Sequence, residues 1–415
     1  MSSTAGHEFV GPEEVAPADV GLASERLERV DRWMAGYVDA GKLPGMMTVI
    51  ARRGHVAYWR GCGLRDVEAG LALEPDTIFR IYSMTKPITS LALMMLYEEG
   101  CFQLDDPVAR FLTDFAEMTV YAGGEGAGMR SLPADRPITI RQLLTHTAGL
   151  TYGFFEETAV DAQYRARGVD FAGSGRLLAE LVAELAQIPL LSQPGSEWNY
   201  SVATDVLGHL IEVLSGQPLD RFFAERILGP LGMTDTGFSV PAGHVGRFAA
   251  NYVPTKGGGI ELVDAPRESR FAEPAVTFSG GGGLVSTAVD YLRFCRLLRG
   301  RGELNGIRLL GRKTLDFMTQ NHLPGDLAEM GQPVFSETSY EGVGFGLGFA
   351  VMLDPAKAQV VGSPGEYSWG GAASTIFWIG PEEDLMVIQL TQLLPSSTYP
   401  LRRELKALVY GAIVD

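Results

Sequence analysis

The chain has 415 residues, of which 46% are hydrophobic and 20% charged, so it has the length of one large domain or two intertwined ones and can bury a substantial core. Its 50 acidic residues exceed its 34 basic ones, and the formal net charge of -16 with scattered basic residues argues against nucleic acid and anionic membranes as partners. No stretch approaches the roughly 18 apolar residues of a membrane span, and the amino terminus lacks signal-peptide features, so we expect a cytoplasmic protein.

The predicted elements begin with one amphipathic helix and an antiparallel hairpin. In the segment ASERLERVDRWMAGYVDAG, apolar residues from Leu27 to Tyr37 recur at helical spacing, and Gly41 closes the helix. The following segment, GMMTVIARRGHVAYWRGCG, predicts two strands joined by a tight turn at Arg53 and Gly54.

The middle of the chain, from Ser83 to about Ala250, is predicted to be mostly helical. Thr139 and Gln142 in ITIRQLLTHTAG have the spacing of a capping box, and ATDVLGHLIEVLSGQP predicts a helix that ends at Gly216. Towards the carboxyl end, GAASTIFWIGPEEDLMVIQLTQ predicts two strands around a turn, and YPLRRELKALVYGAI predicts a last helix.

Strands at both ends of the chain with helices between them indicate an α/β fold of the α+β type, in which an antiparallel sheet is flanked by helices. We expect a sheet domain of residues 1–82 and 275–415, built from both termini, and a mostly helical domain of residues 83–274. The active site is then expected at the seam between the two.

Cysteine and histidine usage gives no sign of a disulfide framework or a metal site. Cys62, Cys101 and Cys295 form an odd-numbered set without C-x-x-C spacing, so we expect three buried free thiols. The histidines are far apart and no H-E-x-x-H occurs, so we predict neither a bound metal nor a cofactor.

The stretch FRIYSMTKPITSLALMML carries the strongest chemical signal, a serine and a lysine three positions apart. Pro87 is tolerated only in the first turn of a helix, which places Ser83 at the helix start, where the helix dipole favours the negative charge of a tetrahedral acyl intermediate. Lys86 lies on the same face, and its burial in an apolar helix favours acceptance of the serine proton or support of a neighbouring base. Roughly one or two S-x-x-K matches arise by chance in a chain of this length, so a helix cap followed by an ordinary charge is the alternative.

Further stretches give the chain a resemblance to a known superfamily. SMTK, followed by Tyr200 in PGSEWNYSVATDVLG and then by YSWGGAAS before TIFWIG, is similar in order to the S-x-x-K, Y-x-N and K-T-G elements of serine β-lactamases and penicillin-binding proteins. LLTHTAGL and FSGGGGLVSTAVDYLRF also resemble this superfamily. The resemblance covers nearly the whole chain and implies a β-lactamase-like fold.

Two departures from the superfamily pattern point away from β-lactams. Val202 replaces the asparagine expected two positions after Tyr200, and Trp369 replaces the K-T-G lysine, which helps to hold the substrate carboxylate. Tyrosine in the second element with W-G-G in the third resembles the family VIII carboxylesterases, which are similar in fold to class C β-lactamases. The resemblance therefore implies a neutral small-molecule ester as the substrate.

The resemblance implies a role for each matching residue. Ser83 would be the acyl-accepting nucleophile, and Lys86 and Tyr200 would form the proton network, with Tyr200 as the base towards Ser83 and the acid towards the leaving alkoxide. The backbone N–H groups of Ser83 and Ala372 would form the oxyanion hole. The predicted substrate-binding residues are Trp369, the glycines Gly370 and Gly371, which would leave room for the substrate, and the wall residues Tyr152 and Phe154.

Two neighbouring features are interpreted structurally. His146, in a loop that resembles a family hallmark, is expected to have a hydrogen-bonding role rather than a catalytic one. The glycine run from Ser279 to Gly283 lacks the Gly-Lys-Ser/Thr of a phosphate loop, so a tight turn near the cleft is predicted.

The predicted function is a serine carboxylesterase that hydrolyses short- to medium-chain esters through an acyl-enzyme. A β-lactamase, a D-amino-acid peptidase or an acyltransferase on the same scaffold stays open, because the sequence does not show whether water is excluded. A non-catalytic binding protein is disfavoured because Ser83, Lys86 and Tyr200 are all present. The oligomeric state is not predicted.

Overall fold

The computed structural model of the chain describes residues 9–10, 14–169, 171–335 and 337–415, so part of the amino-terminal leader lies outside the described residues. Its main feature is a nine-stranded sheet in which every pairing is antiparallel. The strands are β1 (Phe9–Val10), β2 (Gly45–Arg52), β3 (His55–Asp66), β4 (Leu71–Ala72), β5 (Val343–Phe345), β6 (Ala350–Met352), β7 (Tyr367–Gly371), β8 (Thr375–Gly380) and β9 (Leu385–Leu390).

Both ends of the chain contribute to this sheet. Its strand order is β1-β3-β2-β9-β8-β7-β6-β5, with β4 beside β3. The two contributions meet where β2 pairs with β9, and there Val49 lies opposite Ile388. The predicted hairpin turn at Arg53 and Gly54 and the predicted pair of carboxyl-terminal strands are confirmed.

Helices pack on the sheet and fill the middle of the chain. The predicted first helix, the capping box of Thr139 with Gln142 and the left-handed cap at Gly216, where φ is 69°, are all confirmed. The helices are α1 (Ser24–Asp39), α2 (Thr85–Glu98), α3 (Ile140–Leu144), α4 (Ala159–Arg167), α5 (Leu178–Leu185), α6 (Ala203–Ser215), α7 (Leu219–Phe223), α8 (Gly229–Leu231), α9 (Ala288–Arg299), α10 (Arg312–Met318), α11 (Pro355–Ala358) and α12 (Leu401–Tyr410).

Several short strand pairs lie outside the main sheet. One of them, Phe79–Arg80 with Val285–Ser286, leads directly into the S-x-x-K segment. The others are Thr119–Tyr121 with Ser131–Pro133, Asn251–Pro254 with Ile260–Asp264, Glu303–Leu304 with Ile307–Arg308, and Val334–Phe335 with Thr338–Ser339.

The sheet is covered on both faces. One face packs on α1 and α12 through a cluster that includes Ile50 and Trp378, and the other shares a large core with the helical region through α2 and α6. Because α2 is buried from Thr85 to Leu96, its mainly apolar sequence is explained by burial on all sides. The core is continuous from the sheet into the helices, and the proposed domain limits at 82/83 and 274/275 stay a prediction.

The thiol prediction is partly wrong. Among the described residues, Cys62, Cys101 and Cys295 form no disulfide, but only Cys295 is buried, while the other two are partly buried. Cys62 lies on β3 beside α1, where the packing leaves part of the strand open to solvent. Among the described residues, no helix combines the length and the apolarity that crossing a bilayer requires.

Candidate active site

Ser83 lies on a sharp turn between a strand and a buried helix. The strand Phe79–Arg80 is followed by one 3₁₀ turn, Tyr82–Met84, and α2 begins at the next residue. Tyr82 has a φ of 40°, a left-handed conformation that is rare for an aromatic residue and typical of functional turns. The turn places Ser83 at the amino-terminal end of α2. Pro87 is the third residue of this helix, so its predicted place in the first turn is confirmed, but α2 begins two residues after Ser83, which lies in the 3₁₀ turn that leads into the helix.

Lys86 is buried, with 2% of its surface exposed, and its amino group is surrounded by three acceptors. Nζ donates to Ser83 Oγ at 3.1 Å, to the Tyr152 hydroxyl at 2.9 Å and to the Gly281 carbonyl at 2.7 Å. Three acceptors match the three N–H groups of an ammonium ion. The arrangement therefore favours a lysine that supports a neighbouring base with its charge over one that accepts the serine proton itself.

Tyr200 is that neighbouring group. Its hydroxyl lies 2.5 Å from Ser83 Oγ, and Lys86 Nζ lies 4.6 Å from the centroid of its ring. The side chain is only 6% exposed, and its ring packs against Trp369 at a centroid distance of 5.4 Å. Since these contacts fix the ring, the phenol oxygen is held on the serine before any substrate binds.

The glycine run after Ser279 forms one wall of the cleft. Asp205, in the first turn of α6, accepts hydrogen bonds from the Ser279 hydroxyl at 2.5 Å and from the Gly281 N–H at 3.0 Å. These bonds hold the Gly281 carbonyl towards Lys86. A buried carboxylate on α6 thus positions the lysine through a backbone turn.

The two predicted oxyanion donors face the same cavity. Ala372 is the first central residue of the turn between β7 and β8, which is closed by a hydrogen bond from the Ser374 N–H to the Gly371 carbonyl at 3.1 Å. Among the hydrogen bonds that described residues make between backbone groups outside single helices and strands, none is donated by the N–H of Ser83 or of Ala372. Both N–H groups are available to a substrate oxygen.

The reason given for the two glycines of W-G-G needs correction. Both line the cavity, but the space that their side chains would take is filled by protein atoms. A Cβ on Gly371 would lie 2.4 Å from the Ile81 carbonyl oxygen, and one on Gly370 would lie 2.8 Å from a guanidinium nitrogen of Arg402. Gly371 lets β7 approach the nucleophile segment, and Gly370 lets Arg402 pack on the strand, so both glycines meet a packing requirement rather than make room for the substrate.

The cavity above Ser83 has a volume of about 720 Å³ and an aromatic wall. Trp369, Tyr152 and Phe154 all line it. Phe154 is 62% exposed, and its ring stacks on that of Tyr152 at a centroid distance of 4.6 Å. This wall offers apolar contacts to a bound group beside the nucleophile.

His146 lies behind Tyr200 rather than in the cavity. Its Nδ1 is 3.2 Å from Ser201 Oγ, and its ring packs 5.1 Å from that of Tyr200. Burial, aided by the charge of Lys86, holds the pKa of His146 well below its usual value. A buried neutral imidazole in this position supports Tyr200 by packing.

Some functional contacts were not predicted from the sequence. Tyr152 was expected only as a wall residue, yet its hydroxyl accepts a hydrogen bond from Lys86. Asp205 was not singled out, although it follows Tyr200 by five residues in the same segment and its carboxylate is buried. The sequence shows only an acidic residue in the first turn of a helix, which is common and does not indicate a contact with a glycine run 76 residues away. Within the described ranges, no three His, Cys, Asp or Glu side chains are grouped to hold a metal ion.

Comparisons with known proteins agree on one superfamily. The family model described as Beta-lactamase matches residues 30–411. Esterase EstB of Burkholderia gladioli is 34% identical over 373 residues, which are 84% of this chain and 86% of that protein. Monacolin J acid methylbutanoyltransferase of Aspergillus terreus is 28% identical over 399 residues, 91% of this chain and 93% of the transferase. Among solved structures, EstCE1, described as a hydrolase with promiscuous acyltransferase activity, has a TM-score of 0.78 and 31% identity over 93% of this chain and 98% of its own.

Proposed function

This chain belongs to the β-lactamase family within the serine β-lactamase and penicillin-binding-protein superfamily and is a carboxylic ester hydrolase of the serine type, and we propose that it hydrolyses short- to medium-chain esters through an acyl-enzyme on Ser83. The observation that carries this proposal is the position of one hydroxyl. Ser83 Oγ is within hydrogen-bond distance of both Lys86 Nζ, at 3.1 Å, and the Tyr200 hydroxyl, at 2.5 Å.

Acylation begins with Ser83 Oγ attacking the ester carbonyl carbon. Tyr200 takes the serine proton as a phenolate, with the ammonium group of Lys86 beside it as the counter-ion. The carbonyl oxygen becomes an oxyanion and binds the N–H groups of Ser83 and Ala372. When the tetrahedral intermediate collapses, the bond to the alcohol oxygen breaks, and Tyr200 returns the proton to the leaving alkoxide.

Deacylation repeats these steps with water in place of the serine. Tyr200 takes a proton from water as the water oxygen attacks the acyl carbon, and the same two N–H groups hold the second oxyanion. Collapse breaks the bond to Ser83 Oγ, which regains its proton from Tyr200. The carboxylic acid leaves, and the enzyme is restored.

The residue at the position of the K-T-G lysine supports a neutral acyl group. Trp369 occupies the position of the K-T-G lysine, and its indole is packed against Tyr200 and against Phe345, whose ring centroid is 5.3 Å away. At this position of β7, an aromatic ring replaces the cation that would bind a carboxylate. Weak opening of β-lactams is proposed as a side activity at most.

Acyl transfer is a second candidate, supported by the size of the cavity. A volume of about 720 Å³ is large enough for an acyl group and for an acceptor alcohol larger than water. An alcohol that binds there competes with water for the acyl-enzyme. Acyl transfer is part of the descriptions of two of the similar proteins named above, EstCE1 and the methylbutanoyltransferase.

The test is a set of initial rates on p-nitrophenyl esters of increasing acyl length, with wild-type protein and Ser83→Ala. A chromogenic cephalosporin is measured beside them, and an added alcohol with product analysis separates transfer from hydrolysis. We expect hydrolysis of short esters by wild type and loss of turnover in Ser83→Ala, because no acyl-enzyme can form. Substantial activity in Ser83→Ala contradicts the proposal, and dominant cephalosporin opening replaces it with a β-lactamase.

A further inference from the structure

A fully buried amide links the two backbone segments that carry the oxyanion donors. Gln392 follows β9 and is 1% exposed. Its side chain bonds to Arg80, three residues before Ser83, while the next residue, Leu393, bonds to Ala373, the neighbour of Ala372. Gln392 and Leu393 therefore contact both backbone segments that carry the oxyanion donors.

On the nucleophile side, the side-chain amide of Gln392 makes two hydrogen bonds to the backbone of Arg80. The Arg80 N–H donates to Gln392 Oε1 at 3.1 Å, and Gln392 Nε2 donates to the Arg80 carbonyl at 3.1 Å. Arg80 pairs with Val285 on its other side, so the Gln392 amide takes the place of a peptide group from a further strand. Nε2 also donates to the Thr391 carbonyl at 2.8 Å, which fixes its orientation.

The contact on the sheet side runs through the backbone of Leu393. Its N–H donates to the Ala373 carbonyl at 3.2 Å, and its carbonyl accepts from the Ser374 hydroxyl at 2.8 Å. These bonds hold the turn between β7 and β8, in which Ala372 presents its N–H to the cavity. The two segments also touch directly, because Gly371 has no side chain to separate it from the Ile81 carbonyl.

We propose that Gln392 is a positioning residue that sets the separation of the two oxyanion N–H groups, those of Ser83 and Ala372. The inference rests on the proposed function, since it assumes that these groups bind a developing oxyanion. A donor contributes fully only when it points at the place where the charge develops. Without the amide, the strand that leads to Ser83 loses the two bonds that tie it to the oxyanion turn.

The test compares Gln392→Met with a matched control, Gln389→Met. Gln389 lies on β9, is also fully buried, and neither of its side-chain polar atoms has a hydrogen-bond partner among the described residues. Methionine has a similar length and volume, so each variant removes the amide while keeping the packing. Both variants are measured for kcat and KM on a p-nitrophenyl ester and for inhibition by a phenylboronic acid.

The boronic acid reports on the oxyanion hole without turnover. Its boron accepts the Ser83 oxygen and becomes tetrahedral, which places a boron-bound oxygen where the oxyanion forms. We expect Gln392→Met to lower kcat by about 10- to 100-fold and to weaken boronate binding by a similar factor, with little change in KM, because the donors are displaced. Gln389→Met is expected to change neither quantity.

A Gln392→Met protein that is less stable but keeps its kcat and its boronate affinity overturns the proposal, since the amide would then serve folding alone. Should this variant not fold, Gln392→Asn takes its place, because the shorter side chain keeps an amide but draws it back from the Arg80 backbone. Unchanged kcat and boronate affinity in Gln392→Asn also overturn the proposal. If the wild type binds the boronate through Ser83 but hydrolyses no ester, the proposed function is contradicted instead. The boronate affinities of wild type and Gln392→Met still decide the role of Gln392.

Discussion

The two sides of the cavity contribute different kinds of groups. The helical region supplies the side chains of the proposed proton network, Lys86 and Tyr200, together with Tyr152, which bonds to Lys86, and each is fixed by hydrogen bonds or ring contacts to its neighbours. The sheet supplies a backbone N–H at Ala372 and an apolar ring at Trp369.

This difference decides how each side can be altered. A side chain that carries a proton can be deleted in one substitution, and the loss is a chemical one. A backbone N–H cannot be deleted in this way, so its contribution is changed only through the residues that place it, such as Gly371 and Gln392. The proton side therefore predicts large effects at the residues themselves, and the oxyanion side predicts smaller effects at their neighbours.

The largest effects are expected on the proton side, for Tyr200→Phe and Lys86→Met. Each removes one group that touches Ser83 Oγ, and we expect kcat to fall by about 10²- to 10⁴-fold, the usual contribution of a positioned acid or base. Initial rates on a p-nitrophenyl ester measure this, and thermal unfolding shows whether the protein remains folded. Near-wild-type turnover in either variant would remove that residue from the proton network.

On the oxyanion side, Gly371→Ala is expected to have the next largest effect. A Cβ there would lie 2.3 Å from Thr375 Oγ1 and 2.4 Å from the Ile81 carbonyl oxygen, so the strand must move away from the nucleophile segment. We expect kcat to fall by up to about 100-fold, because a displacement of the Ala372 donor weakens oxyanion binding.

The matched control for this substitution is Gly36→Ala on α1, where a Cβ would meet nothing within 4 Å. That change is expected to leave kcat unaltered and to stabilise the protein by about 0.5–1 kcal/mol, as alanine does in a helix. If Gly371→Ala behaves like Gly36→Ala in both assays, close packing of β7 on Ile81 has no part in catalysis.

The same contrast explains how much of the molecule the sequence predicts. The spacing of apolar residues and the helix caps predicted α1, α6 and the strands β2, β3, β8 and β9, because these elements are long enough to show their pattern locally. The three-residue strands β5 and β6 were not predicted. β5 lies in the glycine-rich segment GVGFGLGFA and β6 begins at its last residue, and both strands exist only through pairing with neighbours, β6 with β7 and β5 with β6.

The site divides in a similar way. Ser83, Lys86 and Tyr200 could be predicted because motif spacing marks them, and the structure brings the three together. Asp205 and Gln392 could not, since each acts on a partner more than 70 residues away along the chain, at Gly281 and at Arg80 respectively. Contacts of this kind leave no periodic signal in one sequence, and they are the contacts that set the geometry of the site.

Tyr152→Phe sharpens the comparison within the proton side. The variant keeps the ring that stacks on Phe154 but removes the hydroxyl that accepts from Lys86. Because this hydroxyl bonds to the lysine and not to Ser83, we expect kcat to fall by only about tenfold, which is less than the loss of a positioned acid or base. A loss as large as that of Tyr200→Phe would make Tyr152 an equal candidate for the base.

The smallest expected effect concerns stability and comes from His146. Its pKa in the folded protein is held well below the value of about 6.5 that an unfolded chain shows. Below pH 6.5 the unfolded state therefore binds a proton that the folded state does not, and the free energy of unfolding falls as the pH is lowered, by up to about 1.4 kcal/mol per pH unit. Above pH 6.5 the imidazole is neutral in both states, so this group no longer lowers the free energy of unfolding.

His146→Asn removes this titration, and asparagine tolerates the φ of 56° at the position. We expect its free energy of unfolding to fall less steeply between pH 6.5 and pH 5.5 than that of wild type, as measured by chemical denaturation. Burial also lowers the pKa of His322. Because His322 is present in both proteins, its effect on the pH dependence cancels when their slopes are compared. If the free energy of unfolding falls equally steeply in both proteins, the His146 imidazole is protonated in the folded protein. That result would contradict a neutral ring packed behind Tyr200.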